Sequence, residues 1–347
     1  MDRAINVAVV GYGMAGKILH AAIAGATEGL AIHTVVSSDA AKVHADWPGA
    51  RVVGSLADAL ADPAVDVVVI ATPDHLHADQ AIAALDAGKH VVVDKPFAVT
   101  LEDARRIARA GERSGRILSV FQNRRWDGDF LTVRRLIAEG ALGEVMQFES
   151  SFNRFRPEVL DLWKERRAAG VWQDLGPHLV DQALAVFGLP IAVYADIASQ
   201  KPDSPGGDYF HAVLRYSALR VILHAGQMTP DGGYRFAVHG TKGSYIKHGL
   251  DTQEAALKEG LRPGAPGFGA ETRPGVFTPV VASAPGESSP LFGEAGDYRA
   301  YYAALRDAVL GVGANPVTPQ EALATMRVLE AGKRSTAERR EIAMSEV

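Results

Sequence analysis

Three groups of residues have types and spacings that could do chemistry. In GVWQDLGPHLVDQ, His178 follows Asp174 by four positions, so on a helix both side chains would share one face. An imidazole with an ordinary pKa of roughly 6.5 can take or return a proton near neutrality. In HVVVDKPFAV, an apolar β-branched run ends abruptly on Asp94, Lys95 and Pro96. A lysine held at such a strand mouth could set positive charge against an oxygen that gains charge in a reaction. In VAVVGYGMAGK, Gly11, Gly13 and Gly16 fall in G-x-G-x-x-G register between a strand and a helix. That register permits a tight turn, a close backbone approach to a pyrophosphate, and close helix–strand packing. A proton acceptor, a cation and a dinucleotide cradle are together what alcohol oxidation requires. Plainer readings stand beside these. Lys95 would be a solvated loop lysine, Asp174 a cap and His178 a core histidine. A metal site built from Asp174, His178 and Asp181 is the thinnest reading, and no metal is expected.

The dinucleotide cradle spans Gly11, Tyr12, Gly13, Met14, Ala15 and Gly16. The end of the second strand decides which dinucleotide it suits. NAD sites usually place an acidic residue there for the ribose 2′-hydroxyl. HTVVSSDAAK puts Ser37 and Ser38 at that point, Asp39 slightly later and Lys42 a turn beyond. Two hydroxyls and an ammonium favour NADP, with NAD possible. Ser38 or Asp39 could equally cap the next helix.

Elements must hold these groups in place. Strand-like runs at Asn6–Val10, Ile32–Val36, Val65–Ala71, His90–Val93 and Ile117–Phe121 alternate with helical patterns. Gly29, Gly88 and Gly115 sit where helices should end, and Thr100 with Asp103 resembles a capping box. The alternation predicts a doubly wound parallel sheet over residues 1–121. From 122 to 347 the period changes to that of strands with one wet face, among them YFHAVLRY and RVILHAGQM. This predicts an α+β domain with a large, mainly antiparallel open sheet. The Gly/Pro-rich stretch from Gly260 to Glu294 reads as a long loop or loop-and-strand excursion.

Composition closes off other functions. The chain has 347 residues, 47% hydrophobic and 22% charged, with net charge −5 and no cysteine. Disulfides, thiolate metal sites and cysteine nucleophiles are therefore excluded. Scattered charge gives no reason to expect nucleic acid or a membrane as partner. The strand beginning within the first residues leaves no room for a signal peptide, and a cytoplasmic protein is expected.

GYGMAGK, ATPDHLHADQAIAALDAGKHVVVDKPFAVT and GVWQDLGPHLVDQ together resemble the Gfo/Idh/MocA oxidoreductases, the glucose–fructose oxidoreductase and inositol dehydrogenase family. SVFQNRRWDGDF, FNRFRPEV and DYFHAVL look closest to its NADP-dependent scyllo-inositol dehydrogenase-like branch. The resemblance implies an N-terminal Rossmann domain and a substrate-binding, oligomerising C-terminal domain. The family's E-K-P lysine, beside the nicotinamide and the reacting oxygen, would be Lys95, often followed by a cis peptide. Asp94 stands where glutamate is commoner. The family's D-x-x-x-H pair falls on Asp174 and His178, the latter as proton acceptor. Thr72, Pro73 and His77 match its T-P-x-x-x-H loop near the cofactor, although His77 is as readily a packing residue. Asn123 and Arg124 would border the substrate. Arg125, Arg154, Arg156, Arg166 and Arg167 line an anionic pocket or a solvated face. Trp163 and Trp172 wall a sugar ring or fill core. The expected activity is hydride transfer between NADP and a cyclic polyol or sugar, in a homodimer or homotetramer joined through the open sheet face. A reductase of a non-sugar carbonyl or imine, or a non-catalytic dinucleotide sensor, is the alternative.

Overall fold

The structure, a computed structural model, describes residues 3–158, 170–202, 204 and 206–347. These form two compact units. The first comprises Met1–Trp126, Thr252–Phe268 and Asp297–Leu323; the second comprises Asp127–Asp251, Gly269–Gly296 and Ala324–Val347. The first passage from unit to unit falls near the expected division after residue 121. The chain then returns twice to the first unit, which a contiguous partition into 1–121 and 122–347 does not describe.

The first unit is built on β1 (Ile5–Val10), β2 (Leu30–Val36), β3 (Arg51–Val53), β4 (Val67–Ile70), β5 (His90–Val93) and β6 (Leu118–Val120). All pair in parallel, in the order β3-β2-β1-β4-β5-β6. Every residue of β4 is buried, as the unbroken run of valine and isoleucine requires of a strand covered on both faces. The helices are α1 (Ala15–Ala21, wound as a π-helix, continuing as Ala22–Gly25), α2 (Ala40–Asp46), α3 (Leu56–Leu60), α4 (His77–Asp86) and α5 (Leu101–Ser114). Gly29, Gly88 and Gly115 all have positive φ, as helix-ending glycines should. The Thr100 side chain caps α5 by accepting the Asp103 amide at 3.0 Å. Strand order reverses between β1 and β4. A parallel sheet opens at such a point, beyond its carboxyl ends, to receive a ligand.

The second unit carries a ten-stranded mixed sheet. Its strands are β7 (Val145–Ser151), β8 (Ala192–Ala198), β9 (Tyr209–Arg215), β10 (Arg220–Gly226), β11 (Tyr234–Gly240), β12 (Gly243–His248), β13 (Gly275–Val281), β14 (Ala284–Pro285), β15 (Ser289–Leu291) and β16 (Ile342–Ala343). They run β14-β13-β12-β11-β7-β10-β9-β8-β16, with β15 beside β13. Among the described pairs β7 with β10 is parallel and the others are antiparallel. Along β9, Phe210, Ala212 and Leu214 are buried while Tyr209, His211 and Val213 face outward half-covered. The buried side meets α7 (Gly170–Asp174) and α8 (Gly176–Phe187), where Trp172 stands edge-on to Phe210 with ring centroids 4.8 Å apart. The remaining helices are α6 (Gly128–Ala138), α9 (Gln253–Lys258), α10 (Arg299–Val309) and α11 (Pro319–Glu338).

The return of α10 to the first unit has a packing cause. Tyr298, Tyr301 and Tyr302 are all fully buried there. Tyr301 stands edge-on to Phe121 and to Trp126, and its hydroxyl donates to Ser119 at 2.9 Å. Three buried tyrosines on one short helix supply apolar area that the parallel sheet alone lacks.

Candidate active site

The three glycines after β1 meet different surroundings. Gly11 has φ +91°, and a Cβ there would lie 2.9 Å from Ala71 O, at the end of β4. A Cβ on Gly16 would lie 1.9 Å from Gly11 O, so only glycine lets α1 close onto the turn. A Cβ on Gly13 would meet nothing within 4 Å. The open space beside Gly13 lies where backbone must approach a pyrophosphate. Gly11, Tyr12 and Gly13 line a cavity of about 590 Å³ together with Ser37, Ser38, Asp39, Lys42, Ser55, Thr72 and Gln80. Met14 lies exposed at the start of α1 and Ala15 is its first residue. These residues fit a dinucleotide: the donors, the turn and the room are present in one place.

The rim of this cavity is ordered by charge. The Asp39 carboxylate accepts the Lys42 amide at 2.9 Å and so caps α2. The Ser37 hydroxyl accepts the Asp39 amide at 3.1 Å. Lys42 Nζ donates to Tyr12 O at 3.0 Å, reaching from α2 to the glycine turn. Below it, Tyr12 donates to Asp46, 2.8 Å away, and Asp46 pairs with Lys17 at 2.8 Å. Burial alone would raise the Asp46 carboxyl, but Lys17, Tyr12 and Lys42 outweigh it and hold it below the usual carboxylate range. Burial, reinforced by Asp46, pushes the Tyr12 hydroxyl up.

Lys95 follows β5, and its peptide bond to Pro96 is cis. Its amide donates to the Asp94 carboxylate at 2.8 Å. Burial would push Asp94 up, yet His20, Lys95 and His77 more than offset it and hold Asp94 below the usual range. His77, buried at the start of α4, turns Nδ1 to Pro96 O and Nε2 to Thr72 O, each 3.0 Å away. Its ring therefore braces the loop after β4 against the Lys95–Pro96 turn. Both ring nitrogens thus face backbone carbonyl oxygens. Thr72 Oγ1 donates to Gln80 Oε1 at 2.6 Å, and Pro73 leads into a 3-10 turn over Asp74–Leu76.

Asn123 and Arg124 lie in a 3-10 turn over Asn123–Trp126, and both are buried. The Arg124 guanidinium pairs with Glu254 of α9, and Arg125 with Glu321 at 2.7 Å. Their charge is thus used to hold returning segments of the first unit. Burial would raise Glu321, but Arg125 and the Thr318 amide hold it below the usual carboxylate range.

In the second unit, Asp174 ends α7, and Leu175 interrupts the helix before Gly176. Pro177 lies in the first turn of α8, as its fixed φ suits. His178 follows, 5% exposed. Asp174 and His178 therefore lie on two successive helices rather than one. The buried arginine of this unit carried no sequence signal. Arg235 on β11 is 2% exposed, lies over Phe236 at 4.1 Å, and donates to Ser150 Oγ at 2.6 Å and Gln182 Oε1 at 2.7 Å. Its Nε is 3.4 Å from Asp129, which is itself buried. Arg154 lies over the Phe152 ring, and Trp172 is core, its Nε1 donating to Leu329 O at 3.0 Å. Trp163, Arg166 and Arg167 lie outside the described residues. Among the described residues no three His, Asp or Glu side chains gather as metal ligands, and no helix is long and apolar enough to cross a membrane.

Residues 5–122 match the model of an oxidoreductase family's NAD-binding Rossmann fold, and residues 134–344 that family's C-terminal alpha/beta domain. An uncharacterized oxidoreductase of Escherichia coli (strain K12) is 47% identical over 341 residues, covering 98% of each chain. Scyllo-inositol 2-dehydrogenase (NADP(+)) of Bacillus subtilis (strain 168) is 37% identical over 342 residues, 97% of this chain and 95% of that one. Among solved structures, an oxidoreductase from Yersinia pestis has a TM-score of 0.95 at 46% identity, covering 99% of this chain and 98% of its own.

Proposed function

The chain belongs to the Gfo/Idh/MocA oxidoreductase family, and we propose that within it the protein is an NADP-preferring dehydrogenase of a cyclic polyol or sugar such as an inositol. One observation carries the choice of cofactor. The Asp39 carboxylate is committed to capping α2, while Ser37, Ser38 and Lys42 line the same cavity as the glycine turn. A fixed ammonium and two hydroxyls suit the second phosphate of NADP better than a bare ribose. The relative from B. subtilis, named for NADP(+) and scyllo-inositol, supports the same reading.

When bound, NADP supplies the nicotinamide carbon that accepts or returns the hydride. The amides of the Gly11–Gly16 turn and the start of α1 would hold its pyrophosphate. Thr72 and Pro73 would border the bound dinucleotide, and His77 keeps their loop against the Lys95–Pro96 turn. The Lys95 ammonium stabilises the substrate oxygen as its proton leaves, and polarises the carbonyl in the reverse direction. His178 takes the hydroxyl proton on a ring nitrogen and returns it when a ketone is reduced. Asp174 orients the hydroxyl, and Asn123 with the backbone about Arg124 borders the substrate.

The outward face of the ten-stranded sheet, where Tyr194 is 46% exposed in line with half-covered Val213 and Ile222, is the proposed meeting place of subunits in a homodimer or homotetramer. Neither nucleic acid nor membrane has a part in this reading, which places the enzyme in the cytoplasm.

The test is reduction of NADP⁺ and NAD⁺ by a panel of inositols and aldoses, with Lys95→Ala and His178→Asn beside the parent. Turnover with NADP⁺ preferred, falling about 10²- to 10⁴-fold in either variant, is the expected result. Tight cofactor binding with no reduction by any polyol would overturn the reading in favour of a sensor or a reductase of other carbonyls.

A further inference from the structure

A buried chain of polar side chains runs into the turn that carries Lys95. His20, on α1, is completely buried. Its Nδ1 lies 2.7 Å from the hydroxyl of Tyr302, on α10, which is also completely buried. Its Nε2 lies 3.5 Å from Asp94 Oδ1, a charge contact rather than a formed hydrogen bond, and this buried nitrogen makes no hydrogen bond. That same carboxylate oxygen accepts the Lys95 amide at 2.8 Å. Tilted contact with Phe121, ring centroids 4.3 Å apart, holds the imidazole from one side.

The donors fix the order of the chain. Asp94 can only accept when ionised, so the ring atom facing it should be Nε2–H. Nδ1 is then an acceptor, and the Tyr302 hydroxyl donates to it. The tyrosine thereby selects one tautomer, and the tautomer presents a donor to the carboxylate. Burial, followed by Tyr301 and Asp94, pushes the Tyr302 hydroxyl well above its ordinary value, so it stays a donor throughout the range in which an enzyme works. Three elements, α1, α10 and the end of β5, are joined through this one ring. The Asp94 side chain is only 13% exposed, and a carboxylate so largely withdrawn from water is costly without polar partners.

We propose that Tyr302, His20 and Asp94 form a relay, hydrogen-bonded from Tyr302 to His20 and closed by the 3.5 Å contact of His20 Nε2 with the Asp94 carboxylate, that positions the Lys95–Pro96 turn for hydride transfer. The positioning claim rests on the dehydrogenase reading above; the chain itself does not. His20 and Tyr302 are positioning residues, acting through Asp94 and touching neither substrate nor cofactor. Asp94 also faces Lys95 on its own turn, His77 on α4 and Tyr301 on α10, while the Arg125 guanidinium with Glu321 lies beside Tyr301. None of these supplies the Nε2–H donor that His20 does.

The test combines a carboxyl titration with kinetics. The ¹³C signal of the Asp94 carboxyl is followed against pH in the parent, His20→Phe, His20→Gln and Tyr302→Phe. Phenylalanine keeps the packing against Phe121 and removes the donor, and glutamine can restore a donor that does not titrate. The Asp94 midpoint is expected to rise by about one pH unit or more in His20→Phe and to return towards the parent in His20→Gln. In Tyr302→Phe the ring ¹⁵N shifts of His20 should lose the pure Nε2–H pattern. kcat should fall roughly 10- to 100-fold in His20→Phe, recover in His20→Gln, and leave KM for NADP unchanged. Its acid limb should move upward with the Asp94 midpoint.

An Asp94 midpoint unmoved in His20→Phe, or a His20 tautomer unmoved in Tyr302→Phe, overturns the chain. A moved midpoint with kcat intact overturns its positioning role. Should the parent reduce no dinucleotide with any polyol, the dehydrogenase reading fails while the titration still decides whether the chain exists. Should His20→Phe not fold, the tautomer in Tyr302→Phe decides the same point.

Discussion

Gly13 and Gly16 offer a test that separates cofactor binding from folding, because the same substitution meets opposite surroundings three positions apart. A Cβ at Gly13 would meet nothing within 4 Å, and its φ is not positive. Gly13→Ala should therefore leave the unliganded protein within about 0.5 kcal/mol of the parent. The added methyl occupies the space through which a pyrophosphate approaches the turn. Losing one amide contact to a charged group costs about 1.5–3 kcal/mol, so NADP should bind roughly 10- to 100-fold more weakly. Gly16→Ala is the contrast. Its Cβ would stand 1.9 Å from Gly11 O, a backbone atom that cannot swing aside. Forcing α1 away from the turn should cost about 1–3 kcal/mol or more, lowering Tm whether or not cofactor is present. Thermal melts with and without NADP, with titration calorimetry on Gly13→Ala, decide the matter. Unchanged NADP affinity in Gly13→Ala would refute the placement of the pyrophosphate. A fall in Tm equal to that of Gly16→Ala would refute the packing argument.

Other consequences follow from single contacts. Lys42→Ala should weaken NADP roughly tenfold or more while changing NAD by less than about threefold, as calorimetry at two salt concentrations would register. Asp129→Ala removes a buried carboxylate 3.4 Å from the buried Arg235 guanidinium and should cost about 1–3 kcal/mol in urea unfolding. Glu321→Gln removes the partner of Arg125, and because Glu321 is partly exposed the loss at neutral pH should be about 1–2 kcal/mol. Glu321 titrates below its unfolded value, so its contribution is present above the ordinary carboxylate range. The stability difference between parent and variant should shrink as pH falls through the folded value, and denaturation across acid pH measures this.

What was legible in the sequence was what neighbours along the chain determine. The glycine turn could be read because its spacing is local: positive φ at Gly11, no room for a Cβ at Gly16, and open space between them at Gly13. β4 and β5 announced themselves as runs of valine and isoleucine, and Thr100 with Asp103 as a cap. β3 escaped notice because three residues led by an exposed arginine carry no period. The stretch after Gly260 could be read only as a loop or loop-and-strand excursion, because its glycines and prolines mask where β13, β14 and β15 begin and end. Periodicity reveals which face of α10 is apolar but not which sheet it meets, so the two returns to the first unit could not be foreseen. The same limit applies to chemistry. Lys95 stood out, yet His20 and Tyr302 behind its turn are 282 positions apart and share no motif. Arg124 could be singled out as a cation, but its partner Glu254 lies 130 positions away.

The central claim is that this chain moves a hydride between a ring carbinol and NADP. The most direct measurement uses scyllo-inositol deuterated at carbon, incubated with NADP⁺ and the parent protein, with the recovered cofactor examined by proton NMR. Deuterium at nicotinamide C4, on one face only, and its absence with Lys95→Ala, is the predicted result. Cofactor that stays oxidised with this and every other deuterated polyol or sugar tried, or that is reduced without carrying deuterium, would contradict the account.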